Sequence, residues 1–214
     1  MTIRVLLADD HAMVRDGLKA LLQASADIKV VDAASNGRES VRLVLELKPD
    51  VVIMDIAMPD LNGIEAARLL RVRCPETRII MLSMHSSSEH VYRALEAGAA
   101  GYLLKESAGE EAVSAVRAVY AGRSYLSRAL DTPEQRANVG ADHRTSPVDS
   151  LSARERQVLQ LVVEGHSSAE IAARIHLSPK SVDTYRARLM KKLGVADVPA
   201  LVKFAVQHGL TPPG

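Results

Sequence analysis

The feature that most constrains the fold of this chain is a regular alternation of short apolar runs with amphipathic stretches over residues 3–121. Five apolar runs have the length of buried strands: Ile3–Ala8, Lys29–Ala34, Val51–Met54, Arg78–Leu82 and Gly101–Leu104. Each is followed by apolar residues at helical spacing, at Val14–Leu22, Glu39–Leu47, Gly63–Arg73, Ser88–Ala97 and Glu110–Ala121. This alternation predicts βαβ units, and therefore an α/β domain with a parallel five-stranded sheet covered by helices on both faces.

The remainder of the chain follows a different pattern. Residues 122–150 are polar, carry two prolines and show no apolar period, which predicts an interdomain linker. Residues 151–214 predict an all-helical domain, because signals for helix ends recur along them. These signals are Ser152 with Glu155, Ser167 with Glu170, Ser178 with Pro179, and Asp197, with Gly209 ending the last helix. The predicted domains are thus 1–121 and 151–214, joined by the linker 122–150.

Composition excludes several classes of protein. With 47% hydrophobic and 25% charged residues, the chain is ordinary for a globular protein and unlike a disordered one. The single cysteine, Cys74, excludes a disulfide within the chain, and no apolar stretch has the length of a membrane span. The first residues lack the basic start and apolar run of a signal peptide, so we expect a cytoplasmic protein with no membrane partner.

Charge differs between the two predicted domains. Residues 1–125 carry 15 Lys and Arg against 17 Asp and Glu, whereas residues 151–214 carry 9 against 5. The net charges are therefore −2 and +4. This asymmetry favours an acidic site in the first domain and a polyanionic partner for the second.

Acidic and polar residues stand at the ends of the predicted strands. Right-handed crossovers place every strand's carboxyl end at one edge of the sheet, where open α/β sheets bind their ligands. The first strand is followed by Asp9 and Asp10, the third by Asp55, the fourth by Ser83 and the fifth by Lys105. Taken singly, each is as easily a helix cap, a turn residue or a solvated lysine. Their joint placement predicts one site.

The residue types at this edge suit phosphoryl transfer. Clustered carboxylates repel one another unless a cation is present, and Mg²⁺ suits an oxygen-only site that also receives phosphate. Asp55 is the predicted nucleophile because it stands alone at the end of a central strand, while Asp9 and Asp10 would hold the metal. Ser83 could hydrogen-bond a phosphoryl oxygen, and Lys105 could pair with one. The seven histidines show no metal-ligand spacing, so none is assigned to a metal.

The second domain contains a predicted helix-turn-helix. Ile171, Ala172 and Ile175 give one helix an apolar face, and a short turn at 176–178 precedes a longer helix over 179–193. Within 174–192 one acidic residue, Asp183, stands among six basic residues: Arg174, Lys180, Arg186, Arg188, Lys191 and Lys192. Positive charge concentrated along one helix is typical of phosphate contacts to DNA, although a basic helix alone is more often a solvated surface.

The motifs of residues 1–121 resemble the receiver domain of two-component response regulators. The resemblance is carried by ADDH with Asp9 and Asp10, VVIMDIAMPDLNGIE around Asp55, LSMH with Ser83, and GYLLKES with Lys105. It implies a flavodoxin-like (βα)5 fold and phosphotransfer to Asp55 from a sensor histidine kinase. It also implies Mg²⁺ bound by Asp10, Asp55 and the backbone carbonyl of Ala57, with Asp9 helping through water.

The same resemblance implies a switch and a limited chemistry. Ser83 would move onto the phosphoryl group and Tyr102 would change rotamer, which remodels the face formed by the fourth helix, fifth strand and fifth helix. The domain would assist its own phosphorylation and dephosphorylation without being a metabolic enzyme. Glu106 departs from the pattern, since many receivers have proline after the lysine, and this leaves open whether the Lys105–Glu106 peptide is cis.

The segment LSARERQVLQLVVEGHSSAEIAARIHLSPKSVDTYRARLMKKLGV resembles the DNA-binding domain of NarL/FixJ (LuxR-type) regulators. The resemblance makes 179–193 a recognition helix in the major groove. By position, the base-facing residues would be Asp183, Thr184 and Ala187. Residues nearer the DNA backbone would be Lys180, Ser181, Tyr185, Arg188 and Lys191. Phosphorylation at Asp55 would favour a homodimer that binds paired half-sites, or it would release the C-terminal domain.

Two other hypotheses share the acidic residues. The first is a Mg²⁺-dependent phosphohydrolase that forms an aspartyl-phosphate. Against it, the residue two positions after Asp55 is Ala57 instead of a second acid, and no cap domain is evident. The second is a constitutive DNA-binding or docking module with a silent acidic pocket, against which stands the complete set of Asp9, Asp10, Asp55, Ser83 and Lys105.

Overall fold

The protein is described by a computed structural model that covers residues 2–130, 147–208 and 210. The chain forms two compact units, which divide between residues 142 and 143. The first unit alternates strands and helices, and the second contains helices. Within the described residues, no helix has both the length and the apolar character needed to cross a bilayer.

The first unit confirms the predicted alternation, with element ends within two residues of those expected. Its strands are β1 Ile3–Ala8, β2 Ile28–Ala34, β3 Val51–Asp55, β4 Arg78–Ser83, β5 Gly101–Leu104 and β6 Tyr125–Leu126. Its helices are α1 Ala12–Gln23, α2 Gly37–Leu47, α3 Gly63–Arg73, α4 Ser88–Glu96 and α5 Ala108–Tyr120. Asn36 illustrates why ends shift: its side chain accepts the N–H of Glu39, so α2 begins at Gly37, two residues before the expected start.

The sheet is parallel throughout and has the strand order β2-β1-β3-β4-β5-β6. The first five strands have the doubly wound order of flavodoxin-like folds. The predicted number of five strands is corrected to six, because Tyr125–Leu126 pairs with β5 inside the segment interpreted as linker. A two-residue strand shows no period-2 pattern, so sequence periodicity could not reveal it. Residues 131–146 of the predicted linker lie outside the described residues.

Side chains alternate between two apolar layers, one on each face of the sheet. Along β1, Val5 and Leu7 pack in the layer formed with α1 and α5, whereas Leu6 and Ala8 pack in the layer formed with α2, α3 and α4. Because both faces are buried, the strand reads as a continuous apolar run. The carboxyl ends of β1, β3, β4 and β5 are thereby held at one rigid edge.

The second unit consists of a 3-10 turn, Pro147–Ser150, followed by helices α6 Ala153–Val163, α7 Ser168–Ile175, α8 Pro179–Leu193 and α9 Val198–Gln207. The expected capping boxes at Ser152–Glu155 and Ser167–Glu170 are both present. Ser178 and Asp197 cap α8 and α9 as predicted. The predicted stop at Gly209 lies outside the described residues. Left-handed backbone at His176 ends α7 and turns the chain into α8, which completes the expected helix-turn-helix.

Candidate functional site

The sheet register brings the predicted acidic residues together at its carboxyl edge. Ala8 pairs with Met54, so Asp9 and Asp55 follow at adjacent strand ends. Asp55 pairs with Leu82, so Ser83 ends the adjacent strand β4. Ser83 in turn pairs with Leu104, so Lys105 follows the end of β5, the next strand in the sheet. Residues separated by 22 to 96 positions in the sequence thus converge because of the parallel topology alone.

The acidic cluster is compact. Asp9, Asp10, Asp55 and His11 each offer a ligand atom, and these four atoms all lie within 4.8 Å of one another. Asp9 and Asp55 are almost fully buried, while Asp10 is partly exposed. Three carboxylates this close match the oxygen-rich donor set that a hard divalent cation prefers.

Lys105 places a positive charge against two of these carboxylates. Its Nζ lies 2.9 Å from Oδ2 of Asp55 and 2.8 Å from Oδ2 of Asp9, and its side chain is 12% exposed. Burial and the negative charge of Asp9 raise the pKa of Asp55 to about 6, against the lowering effect of Lys105 and of the Ala57 backbone N–H. No peptide bond among the described residues is cis, so the Lys105–Glu106 bond is trans.

Ser83 and Tyr102 lie beside this cluster, and both side chains are hydrogen-bonded to the backbone of His85 in the loop after β4. Ser83 is buried, and its Oγ accepts the backbone N–H of His85 at 3.0 Å. Tyr102 is fully buried, and its hydroxyl donates to the carbonyl of His85 at 2.7 Å. Burial raises the pKa of Tyr102 to about 12, so the phenol stays protonated and remains a donor. The loop after Ser83 is therefore tied to β5.

Two residues at the acidic cluster were not predicted. The Nδ1 atom of His11 lies 2.7 Å from Asp10 Oδ1 and 3.1 Å from Asp9 Oδ1. The guanidinium of Arg15 donates to the backbone carbonyl of Asp9 at 2.6 Å. Both lie at the start of α1, and their i, i+4 spacing directly after the two aspartates is the signal that could have indicated them.

In the second unit, helix α8 presents a polar surface. Val182 and Leu189 are fully buried in the core of this unit. The exposed residues of the predicted DNA contact set are Lys180, Asp183, Thr184, Ala187, Arg188 and Lys191. Ser181 and Tyr185 are partly exposed.

Three charged residues of α8, Asp183, Arg186 and Lys192, have partners within the unit. Asp183 accepts a hydrogen bond from the Ser168 hydroxyl at 2.6 Å and lies 3.4 Å from Arg186 Nη2. Lys192 Nζ lies 2.7 Å from Oε2 of the buried Glu155 and donates to the Ser150 carbonyl at 3.2 Å. Lys192 therefore joins α8 to the start of α6, although the sequence pattern counted it with the basic residues of the helix.

Comparisons with known proteins cover both units. The family described as "Response regulator receiver domain" matches residues 5–117, and the family described as "Bacterial regulatory proteins, luxR family" matches residues 149–205. Response regulator UvrY of Escherichia coli (strain K12) is 38% identical over 208 residues, which cover 97% of this chain and 95% of UvrY. Response regulator GacA of Pseudomonas aeruginosa is 37% identical, with 97% of both chains covered.

Solved structures of response regulators also resemble this chain over nearly its full length. RcsB from Salmonella enterica serovar Typhimurium, bound to promoter rprA in the presence of phosphomimetic BeF3-, has a TM-score of 0.64 and 26% identity, covering 95% of this chain and 98% of RcsB. RcsB was also solved as two dimers bound to two parallel DNAs, with a TM-score of 0.58 and 25% identity over 95% of this chain and 98% of that one. Since both domain types match and relatives align over nearly the full length, this chain belongs to the NarL/FixJ family of two-component response regulators.

Proposed function

We propose that Asp55 accepts a phosphoryl group from a sensor histidine kinase and that this modification controls binding of helix α8 to DNA. The observation that carries the proposal is the joint geometry of the acidic cluster, whose carboxylates lie within 4.8 Å of one another with Lys105 Nζ 2.9 Å from Asp55. Because the same chain carries a receiver domain and a DNA-binding domain, phosphorylation at this site has a DNA-binding activity that it can regulate. The proposed domains follow the predicted bounds 1–121 and 151–214, except that residues 125–130 of the predicted linker belong to the first unit.

The acidic cluster fits Mg²⁺. Asp10, Asp55 and the backbone carbonyl of Ala57 would hold the ion, with Asp9 assisting, and all of these ligands are oxygen atoms. When bound, the ion supplies positive charge that offsets the negative charge of the phosphoryl oxygens. The raised pKa of Asp55, to about 6, supports the need for such a cation, because burial beside Asp9 disfavours the ionised carboxylate that must attack.

Transfer needs one nucleophile and fixed positive charge. An Asp55 carboxylate oxygen attacks the phosphorus of the kinase phosphohistidine, the P–N bond breaks, and its electron pair stays on the imidazole nitrogen, which takes up a proton from solvent. Lys105 pairs with a phosphoryl oxygen, and Ser83 hydrogen-bonds another. When Ser83 moves onto the phosphoryl group, the Tyr102 side chain changes rotamer. The two movements are linked through His85, whose backbone N–H is bonded to the Ser83 Oγ and whose carbonyl is bonded to the Tyr102 hydroxyl.

Helix α8 is the proposed recognition helix. Asp183, Thr184 and Ala187 face bases, and the residues proposed to lie near the DNA backbone are Lys180, Ser181, Tyr185, Arg188 and Lys191. The hydrogen bond from Ser168 holds the Asp183 carboxylate in place. Since RcsB binds DNA as dimers, we propose that phosphorylation favours a homodimer that binds paired half-sites.

The phosphoacceptor is tested with Asp55→Asn and, as a control, Asp16→Asn, which changes an exposed carboxyl on α1. With acetyl phosphate and Mg²⁺, wild type and Asp16→Asn should incorporate one phosphate and gain affinity for the DNA obtained by binding-site selection. Asp55→Asn should do neither. Stimulated DNA binding that survives in Asp55→Asn would refute phosphorylation at this residue as the control. If the wild-type protein takes up no phosphate, the hypothesis of a silent acidic pocket is favoured. If it rapidly hydrolyses phosphate esters, the phosphohydrolase hypothesis is favoured.

The DNA-contacting surface is tested with two adjacent lysines. Lys191 is exposed, whereas Lys192 is paired with Glu155. Lys191→Met should weaken binding and reduce the slope of log K against log salt by about 1, the value for one lost phosphate contact. Lys192→Met should keep the wild-type slope and lower the unfolding free energy of the second unit by about 1–3 kcal/mol, because Glu155 loses its charged partner. If the wild-type protein binds DNA and the two variants show equal slopes of log K against log salt, Lys191 is not the phosphate contact proposed here.

A further inference from the structure

The segment that follows α5 is part of the sheet edge that carries the proposed phosphoacceptor site. Tyr125 and Leu126 pair with Gly101 and Tyr102 of β5. Ser127 comes next and is fully buried, and Leu130 is 1% exposed in the core layer on that face. A fully buried hydroxyl is costly unless it is hydrogen-bonded, so the partners of Ser127 show what this residue does.

The hydroxyl of Ser127 belongs to a closed set of hydrogen bonds around Leu104. Its Oγ accepts the Leu104 N–H at 3.0 Å. Ser107 donates its hydroxyl to the Leu104 carbonyl at 3.3 Å, so in the 3.0 Å contact between the two serines Ser127 is the donor. Each hydroxyl then donates once and accepts once. Both backbone polar groups of Leu104 are thereby bonded to serine side chains.

Leu104 is the residue directly before Lys105. The Lys105 N–H donates to the Ser83 carbonyl at 2.8 Å, so β4 holds this point of the chain from one side while Ser127 holds it from the other. The Ser127 N–H also donates to the Tyr102 carbonyl at 2.9 Å. The backbone at Leu104 and Lys105 is thus held between β4 and the segment after β6, and the Lys105 ammonium contacts Asp9 and Asp55.

The segment that carries Ser127 is itself anchored. Oε2 of the buried Glu111 accepts the Tyr125 hydroxyl at 2.9 Å and the Arg128 N–H at 3.1 Å. The Leu130 N–H donates to the Ser127 carbonyl at 2.7 Å. These bonds hold residues 125–130 against α5 and β5, so the serine can act as a fixed point for the loop.

We propose that Ser127 is a positioning residue for phosphoryl transfer, which holds the end of β5 so that the Lys105 ammonium lies at the phosphoacceptor carboxylate. The inference rests on the proposed function, because it gives Lys105 its role beside Asp55. Ser127 touches neither the carboxylate nor the phosphoryl group, and it acts through Lys105. A segment that the sequence pattern assigns to the linker therefore contributes to the reaction.

The test is a double-mutant cycle in the full-length protein. Rates of phosphorylation by acetyl phosphate at saturating Mg²⁺, and affinities for beryllofluoride, are compared for wild type, Ser127→Ala, Lys105→Met and the double variant. Ser127→Ala should slow phosphorylation and weaken beryllofluoride binding by about fivefold, the size expected for one lost hydrogen bond. In the Lys105→Met background the same change should alter either quantity by less than about twofold, because coupled residues are not additive. The midpoint of Mg²⁺ binding should stay unchanged.

Leu130→Ala controls for a merely structural effect. It removes a buried side chain from the same segment, which destabilises the unit, but leaves the Ser127 side chain in place. At a temperature where circular dichroism shows all variants folded, Leu130→Ala should keep the wild-type rate. The inference is overturned if Leu130→Ala slows phosphorylation as much as Ser127→Ala does, or if Ser127→Ala is equally harmful with and without Lys105. Phosphate incorporation by Asp55→Asn would instead refute the proposed function itself.

Discussion

Gly63→Ala is expected to lower the unfolding free energy of the N-terminal unit by about 3 kcal/mol, a large effect for a single methyl group. A Cβ at position 63 would lie 2.2 Å from the Asp55 carbonyl oxygen and 3.0 Å from its carbonyl carbon. These are backbone atoms at the end of a buried strand and cannot move aside cheaply. The Gly63 N–H also donates to the Ile56 carbonyl at 2.9 Å, so the two segments are already in close contact.

The matched control is Gly17→Ala. Gly17 lies inside α1, and a Cβ there would have no heavy atom within 4 Å. Alanine should therefore stabilise the unit by up to about 1 kcal/mol, because glycine is the poorer helix former. Hydrogen exchange of the slowest amides in β3 and β4 would measure both changes. An alanine at position 63 that exchanged like wild type would show that this close approach is not a structural constraint.

Asp55→Asn is expected to stabilise the Mg²⁺-free N-terminal unit by about 3 kcal/mol at pH 7.5, although it removes the proposed phosphoacceptor. The pKa of Asp55 is about 6 in the folded protein, against an ordinary value of 3.8. The folded state therefore holds this proton more tightly than the unfolded state, and stability falls as pH rises from about 4 to about 6. Two pKa units correspond to about 3 kcal/mol, and the neutral asparagine avoids this loss.

This stability difference should have a distinct pH and metal dependence. Below pH 4 the aspartic acid is neutral in both states, so wild type and Asp55→Asn should differ little. Urea unfolding of the N-terminal unit in chelator, followed by NMR between pH 4 and 8, would give the curve. Added Mg²⁺ should narrow the gap at pH 7.5, since it binds the folded wild type. A constant difference across this pH range would mean that ionisation of Asp55 is not its cause.

Several features of the site follow from sequence because they depend on periodicity and strand order. Apolar runs of strand length, separated by amphipathic helices, dictate a parallel sheet, and a parallel sheet brings its strand ends to one edge. Asp9, Asp55 and Lys105 could therefore be placed together without knowledge of any contact, and the structure finds them within ion-pair distance. The capping serines could be predicted for a similar reason, because a helix N-cap is a local interaction.

Other features depend on where side chains meet after folding. Lys192 belongs by sequence to a basic helix, yet it pairs with Glu155, 37 positions earlier. His11 contacts both Asp9 and Asp10 only because of how α1 begins. Tyr125 and Leu126 pair as a strand because β5 offers a free edge, which two residues in a polar segment cannot indicate.

By itself, then, the sequence determined the alternation of elements, the parallel sheet, the helix-turn-helix and the convergence of aspartates and a lysine, since these follow from periodicity, local capping and chain connectivity. Only the tertiary structure decided the sixth strand, the partner of Lys192 and the hydrogen bonds of Ser127 around Leu104. The physical reason is range: hydrogen bonds and ion pairs between distant residues depend on positions of a few tenths of an ångström, which packing sets and sequence pattern does not encode.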